Sequence, residues 1–276
     1  MKGDNSKKFY KILSDIKSVK VQGAENVCKA GIQAFLLQPN KISAKKILET
    51  RVTEPLLQNA IKILLKSENK EKTAKKFISN LEKSHDAIAK KGSKLIKNNM
   101  KIYSHCHSST VMDILKYAKK KGKKNFTVYT TEVEPLLQGR KTAKDLAHSR
   151  IKVVIASDFA ADQLMEDCDL FLFGADAYTK SSAVNKIGTS TLVSLAKSHQ
   201  IPSYSCGVSL KFTSKVKIEK RSPKEVWNEK IKNIKVENPA FDKTKIDRLT
   251  GVISEFGILT PKQFVKKAKQ NLKTLN

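Results

Sequence analysis

Arginine is scarce in this chain. Five of its 276 residues are arginine, although Lys+Arg total 54 against 26 Asp+Glu, for a formal net charge of +28. Base reading and bidentate phosphate recognition favour the guanidinium fork. A chain whose cations are nearly all lysine therefore lacks the equipment of a sequence-specific nucleic-acid reader. The lysines are spread along the whole length, as a solvated surface or a broad polyanion-binding face. Either predicts weak, salt-dependent attraction for RNA or DNA, indifferent to sequence.

Cysteine is sparse too. Cys28, Cys106, Cys168 and Cys206 stand far apart with no CxxC pair, which argues against a zinc ribbon or disulfide framework and for a reducing compartment. No apolar run approaches the roughly 18 residues of a membrane helix. The opening MKGDNSKKFYKILSDIKS has no apolar core of a secretory signal. The expectation is a cytoplasmic protein with no membrane partner. Neither GxxxxGK nor GxGxxG occurs, so no nucleotide cofactor is implied and no cofactor is expected.

What is present divides into two patterns. Over residues 1–98 the apolar residues follow a helical period: Phe9, Ile12, Leu13 and Ile16; Leu57, Ile61, Leu64 and Leu65; Phe77, Ile78, Leu81, Ile88, Leu95 and Ile96. Over residues 99–276 short apolar runs alternate with helical segments, as in stacked βα units. Strands are predicted at 102–105, 126–131, 153–156, 170–173 and 203–207, with helices at 109–119, 142–148, 159–166 and 187–199. The irregular tail is expected to close the sheet edge. The fold class is α/β: an N-terminal helical subdomain followed by a Rossmann-like parallel sheet domain.

In an open parallel sheet, ligands bind beyond the carboxyl ends of the strands. Those ends here deliver His105-Cys106-His107-Ser108-Ser109, Glu132, Ser157-Asp158, Gly174-Ala175-Asp176 and Ser209-Leu210-Lys211. Cys106 lies between two histidines and just ahead of a helix start, where the dipole and an imidazolium would lower its pKa; a small buried residue is the alternative reading. Zinc is disfavoured, because neighbours along a strand point to opposite sides and no second ligand cluster completes a site. Asp176 suits proton exchange if partly desolvated, or a turn cap. Lys186, with the free N–H groups of the following helix, suggests an anion cradle.

Five blocks in order carry a resemblance: SHCHSS at 104–109, TTEVEPLLQGRKTAKDL at 130–146, GADAYTKSSAVNKIGT at 174–189, SLKF at 209–212 and ENPAFD at 237–242. Together they resemble the superfamily that joins archaeal ribose-1,5-bisphosphate isomerases, methylthioribose-1-phosphate isomerases and the alpha, beta and delta regulatory subunits of translation initiation factor 2B. The resemblance spans about residues 21–266. The isomerases carry a cysteine and an aspartate as a proton-transfer pair, and this chain has both, with SHCHS closer to the ribose-bisphosphate branch. It implies Cys106 as general base and Asp176 as acid, with Gly23, Ala24, Arg51, Ser108, Ser109, Asn185, Lys186 and Lys211 around a sugar phosphate. It further implies an isomerase of nucleotide (AMP) salvage, a homodimer or homohexamer, or else a non-catalytic regulatory subunit or sensor. The chain departs from the isomerase pattern at Gln22-Gly23-Ala24-Glu25 and Glu132-Val133-Glu134-Pro135. Each lacks an arginine, and each loss weakens phosphate binding by a few kcal/mol on the scale of charge-assisted hydrogen bonds.

Overall fold

The computed structural model describes residues 2–275; Met1 and Asn276 lie outside them. Five helices come first: α1 (Lys2–Lys17), α2 (Ala24–Leu37), α3 (Lys41–Leu48), α4 (Pro55–Lys66) and α5 (Lys70–Gly92). Local chemistry sets their starts. The side chains of Asn40 and Asn69 accept the backbone N–H of Ser43 and Lys72 at the heads of α3 and α5. Pro55 opens α4, where its missing N–H costs nothing. Helix α4 buries Leu56, Leu57, Ala60, Ile61 and Leu64. Leu65, assigned to that face by spacing, lies on its flank and is exposed.

The strands follow: β1 (Lys101–His105), β2 (Thr127–Thr131), β3 (Lys152–Ala156), β4 (Leu170–Gly174), β5 (Ala177–Tyr178), β6 (Ser182–Lys186), β7 (Ser203–Cys206), β8 (Phe241–Lys245), β9 (Gly251–Ser254) and β10 (Gly257–Leu259). Between and after them run α6 (Ser109–Lys120), α7 (Gln138–His148), α8 (Ala161–Glu166), α9 (Thr189–Ser198) and α10 (Pro261–Leu275). Seven strands form one sheet in the order β10-β9-β7-β4-β1-β2-β3, parallel except for β10. Successive residues of its central strands face two cores. Ile102, Leu170 and Leu172 join the helices of the N-terminal part; Tyr103, Phe171 and Phe173 join α8, α9 and α10. No described helix is long and apolar enough to cross a membrane.

Three expectations need correction. The helix expected from Ile187 begins at Thr189, because Gly188 turns the chain with φ +96°. The segment before it, Ser182–Lys186, is strand β6, which pairs antiparallel with β5 and β8 in a second small sheet. The helix expected from Thr142 begins four residues earlier. Thr142 does not cap it, because its hydroxyl donates to the Cys106 carbonyl at 2.9 Å. The helix expected from Phe159 starts as a 3₁₀ turn over Asp158–Ala160 that leaves Phe159 fully exposed, and α8 begins at Ala161.

Gly139 shows how tightly α7 sits on the sheet end. Its N–H donates to the Glu132 carbonyl at 2.9 Å, and a Cβ there would lie 1.7 Å from the Thr131 carbonyl oxygen. Backbone cannot yield as a side chain does. Gly139→Ala is expected to destabilise the fold by about 1–3 kcal/mol, the usual scale of overpacking, read as a lower urea midpoint; an unchanged midpoint would contradict this close approach.

Candidate active site

One cavity of about 150 Å³ opens at the carboxyl ends of β1 and β4, roofed by α2 and by the irregular segment 213–240. The residues that the resemblance assigns to the catalytic pair and the sugar phosphate all line it: Gly23, Ala24, Arg51, Cys106, Ser108, Ser109, Asp176, Asn185, Lys186 and Lys211. Two of the strand-end carboxylates do not. Glu132 pairs with Arg140, and the Asp158 carboxylate accepts the backbone N–H of Val133 and Glu134 at 2.9 and 2.8 Å. Asp158 thereby holds Val133 at φ +63°, an unusual backbone for a β-branched residue. Glu132 and Asp158 hold neighbouring backbone and side chains instead of facing the cavity.

Cys106 leaves β1 in a left-handed conformation, φ +67°, which costs a non-glycine residue about 1–2 kcal/mol. Its surroundings fix it there. The Thr142 hydroxyl donates to its carbonyl, so His107 must donate from Nδ1 to the same hydroxyl at 3.0 Å. His105 Nε2 donates to the Ile187 carbonyl at 3.1 Å. Ser108 caps α6 by accepting the Val111 N–H. Gly174 must lack a side chain, since a Cβ would meet the Ser108 hydroxyl at 2.4 Å.

The electrostatics overturn one expectation. Burial, together with the negative charge of Asp176, pushes the Cys106 thiol up to about 12. The flanking histidines do not help, because burial lowers both and takes His105 down to about 4. The local sequence shows a helix dipole and two imidazoles; burial and the Asp176 carboxyl act against both and favour the neutral thiol. The anion cradle at α9 is also corrected. Its Ser190 N–H is already taken by the Asp242 carboxylate at 3.0 Å.

Asp176 follows β4 with its carboxyl pushed up by burial, against the pull of Lys211 and Arg51. In the orientation that satisfies its neighbours, the Asn185 amide donates to Asp176 Oδ2 and to the Gly174 carbonyl, each at 3.2 Å. Lys211 donates to the Ala175 carbonyl at 2.6 Å. Lys186, 6% exposed, has its pKa lowered by burial, opposed by the Cys106 sulfur that faces it.

Sequence reasoning missed Glu54, Glu219 and Glu225. Glu25, Glu54, Glu219 and Glu225 line the cavity with Asp176, facing Arg51, Lys141, Lys186, Lys211 and Arg221. Five carboxyl groups thus meet five cations, in a chain of net charge +28. Arg51 lies between Glu54 and Glu219, 3.2 Å from each, and Arg221 is paired with Glu225. A glutamate before a proline at a helix start reads as a cap, which hid Glu54; Glu219 sits in irregular chain with no local pattern.

The fold and the site define an α/β protein with a strand-end cavity lined by a thiol, carboxyls and lysines. The chain belongs to the initiation factor 2 subunit family, whose profile matches residues 20–261. It is similar to ribose 1,5-bisphosphate isomerase of Methanocaldococcus jannaschii, 32% identical over 276 residues that cover 89% of each chain. It is also similar to a putative translation initiation factor eIF-2B subunit 2-like protein of Pyrococcus furiosus, 31% identical over 92% of this chain and 97% of that one. Among solved structures, the translation initiation factor eIF-2B of Pyrococcus horikoshii superposes with a TM-score of 0.84 at 26% identity, over 93% of this chain and 98% of that one.

The buried imidazole of His105, 4% exposed, makes acid stability testable. A His pKa lowered to about 4 contributes stability that is complete above the unfolded value near 6.5 and is lost as pH falls toward 4. The integrated loss is about 3 kcal/mol. Urea unfolding at pH 7 and pH 4 should show the wild type losing more stability on acidification than His105→Gln by roughly that amount; equal losses would reject the burial argument.

Proposed function

We propose that the chain is an aldose–ketose isomerase of phosphorylated ribose, converting ribose 1,5-bisphosphate to ribulose 1,5-bisphosphate in nucleotide salvage. The observation that carries this reading is the meeting of Cys106 and Asp176 in one cavity with Lys186, Lys211, Ser108 and Ser109. The similarity to ribose 1,5-bisphosphate isomerase over most of both chains supports it.

In the proposed reaction Cys106 takes the proton from C2 as thiolate, while Asp176 protonates the ring oxygen and the C1–O bond to the ring breaks. The enol that results returns its C2 hydroxyl proton to Asp176, and Cys106 gives its proton to C1. The raised carboxyl of Asp176 suits the acid role. A thiol pushed up to about 12 reaches the thiolate by releasing its proton to solvent as the ligand binds, and Lys186 then stabilises the anion. Ser108, Ser109 and the first turn of α6 hold a phosphoryl group, with Gly23 and Ala24 admitting the ligand backbone-close and Arg51, Asn185 and Lys211 framing the sugar. The reaction as written needs no metal or cofactor.

Phosphorus NMR with ribose 1,5-bisphosphate should show ribulose 1,5-bisphosphate, with solvent deuterium entering at C1 as the Cys106 thiol proton exchanges with solvent before its return. Cys106→Ser and Asp176→Asn should each lower kcat by about 10²–10⁴ with little change in substrate affinity. Wild-type turnover in Cys106→Ser would end the catalytic assignment. Binding without any turnover would favour the second reading, a non-catalytic regulatory subunit or sensor, which the resemblance to the eIF-2B subunit 2-like protein supports.

A homodimer or homohexamer belongs to the same proposal. The edge strand β3 leaves Val154 and Ile155 more than a third exposed, and Phe159 beside it is 103% exposed, an apolar edge suited to a second copy. The lysine surface adds weak, salt-sensitive attraction for nucleic acid. Light scattering at micromolar concentration is expected to give at least twice the 30.9 kDa chain mass, reduced by Phe159→Glu; a monomer would dismiss the assembly.

A further inference from the structure

Glu54 has no part in the chemistry above, yet it is one of the most deeply buried charged residues described. Its side chain is 1% exposed at the head of α4, and it lines the cavity that holds Asp176. Its Oε1 meets Arg51 at 3.2 Å. Its Oε2 is buried with no hydrogen-bond partner. An ionised carboxylate left in that state forfeits several kcal/mol of solvation, far more than the neutral acid does.

The charges around it leave room for one proton. Glu54, Asp176 and Glu219 face the two cations that act on both Glu54 and Asp176, namely Arg51 and Lys211. Arg51 contacts Glu54 and Glu219, and Lys211 is held at the Ala175 carbonyl beside Asp176. Lys186 reaches the field of Asp176 alone. Arg51 and Lys211 are shared between Glu54 and Asp176, Arg51 with Glu219 as well, and Lys186 serves Asp176 alone, so Glu54, buried with Oε2 unpartnered, ionises beside an ionised Asp176 only at a cost.

We infer that Glu54 and Asp176 share one acidic proton, with Glu54 the positioning residue that keeps Asp176 in its acid form through the working pH range. This rests on the isomerase reading for its catalytic consequence, but the shared proton is a property of the protein alone. Glu54 touches no reacting atom; it acts by making the loss of the Asp176 proton unfavourable. Removing its charge takes away the carboxylate that competes with Asp176 for Arg51 and Lys211, and the hold on the proton weakens.

Difference infrared spectroscopy in D₂O between pH 4 and 9 tests this on the full-length protein. Wild type should keep a carboxylic C=O stretch at pH 7. Glu54→Gln and Asp176→Asn should each lose that band at a pH lower by about one unit or more, a tenfold change in proton affinity, and Glu54→Asp should restore it. In turnover, the alkaline limb of the kcat profile should move down by a similar interval in Glu54→Gln, with KM changed less than kcat. A wild-type spectrum with no protonated carboxyl at pH 7 would overturn the inference. So would Glu54→Gln curves that superimpose on the wild type. Should Glu54→Gln fail to fold, the Asp176→Asn spectrum decides alone. An intact band without turnover would sink the isomerase reading and leave the shared proton standing; turnover without the band would do the reverse.

Discussion

The parallel pairing of β1 with β4 is the constraint on which the site depends. His105 lies opposite Phe173, so the two chains leave the sheet side by side, one into Cys106 and the other into Gly174-Ala175-Asp176. Burial fixes such a register, and β4 is buried throughout and β1 from Ile102 to His105. A slip of one residue would exchange the faces of every side chain and move Asp176 away from Cys106. The left-handed turn at Cys106 and the bare Cα of Gly174 then complete what the register begins.

Much of this was legible in the chain itself. Strands β1, β2 and β4 are short apolar runs bounded by turn residues, and the residues at their ends are the ones found around the cavity. The small sheet was not legible. Ser182–Lys186 carries only two apolar residues, and its partner β8 lies more than fifty positions away, so neither segment announces a strand alone. The acidic side of the site was hidden for the same reason. Glu54 and Glu219 meet Asp176 only because α4 and segment 213–240 converge there, and sequence spacing carries no trace of that convergence. The titration of Cys106 was misread because a helix start and two histidines are visible locally, whereas burial is a property of the whole fold.

That convergence has a mechanical side. Segment 213–240 is tied to the start of α4 by one hydroxyl: Thr53 Oγ1 donates to the Lys217 carbonyl and accepts the Glu219 N–H, each at 2.8 Å. The same segment brings Glu219 to Arg51 and carries the Arg221–Glu225 pair into the cavity. The wall opposite the thiol is thus assembled by polar contacts, while the floor is assembled by buried strands. Polar contacts at a half-open cleft exchange with water and with ligand groups far more readily than packed strands move.

The contrast between a surface of net charge +28 and a cavity in which acids and bases balance separates capture from retention. Long-range attraction raises how often an anion meets the protein, and it fades within a Debye length of about 8–10 Å at ordinary ionic strength. Inside the cleft the balance of signs leaves little net attraction, so residence is governed by hydrogen-bond geometry and desolvation. Added salt therefore slows arrival while leaving departure nearly untouched. A chain can in this way be generous in encounter and exacting in what it keeps.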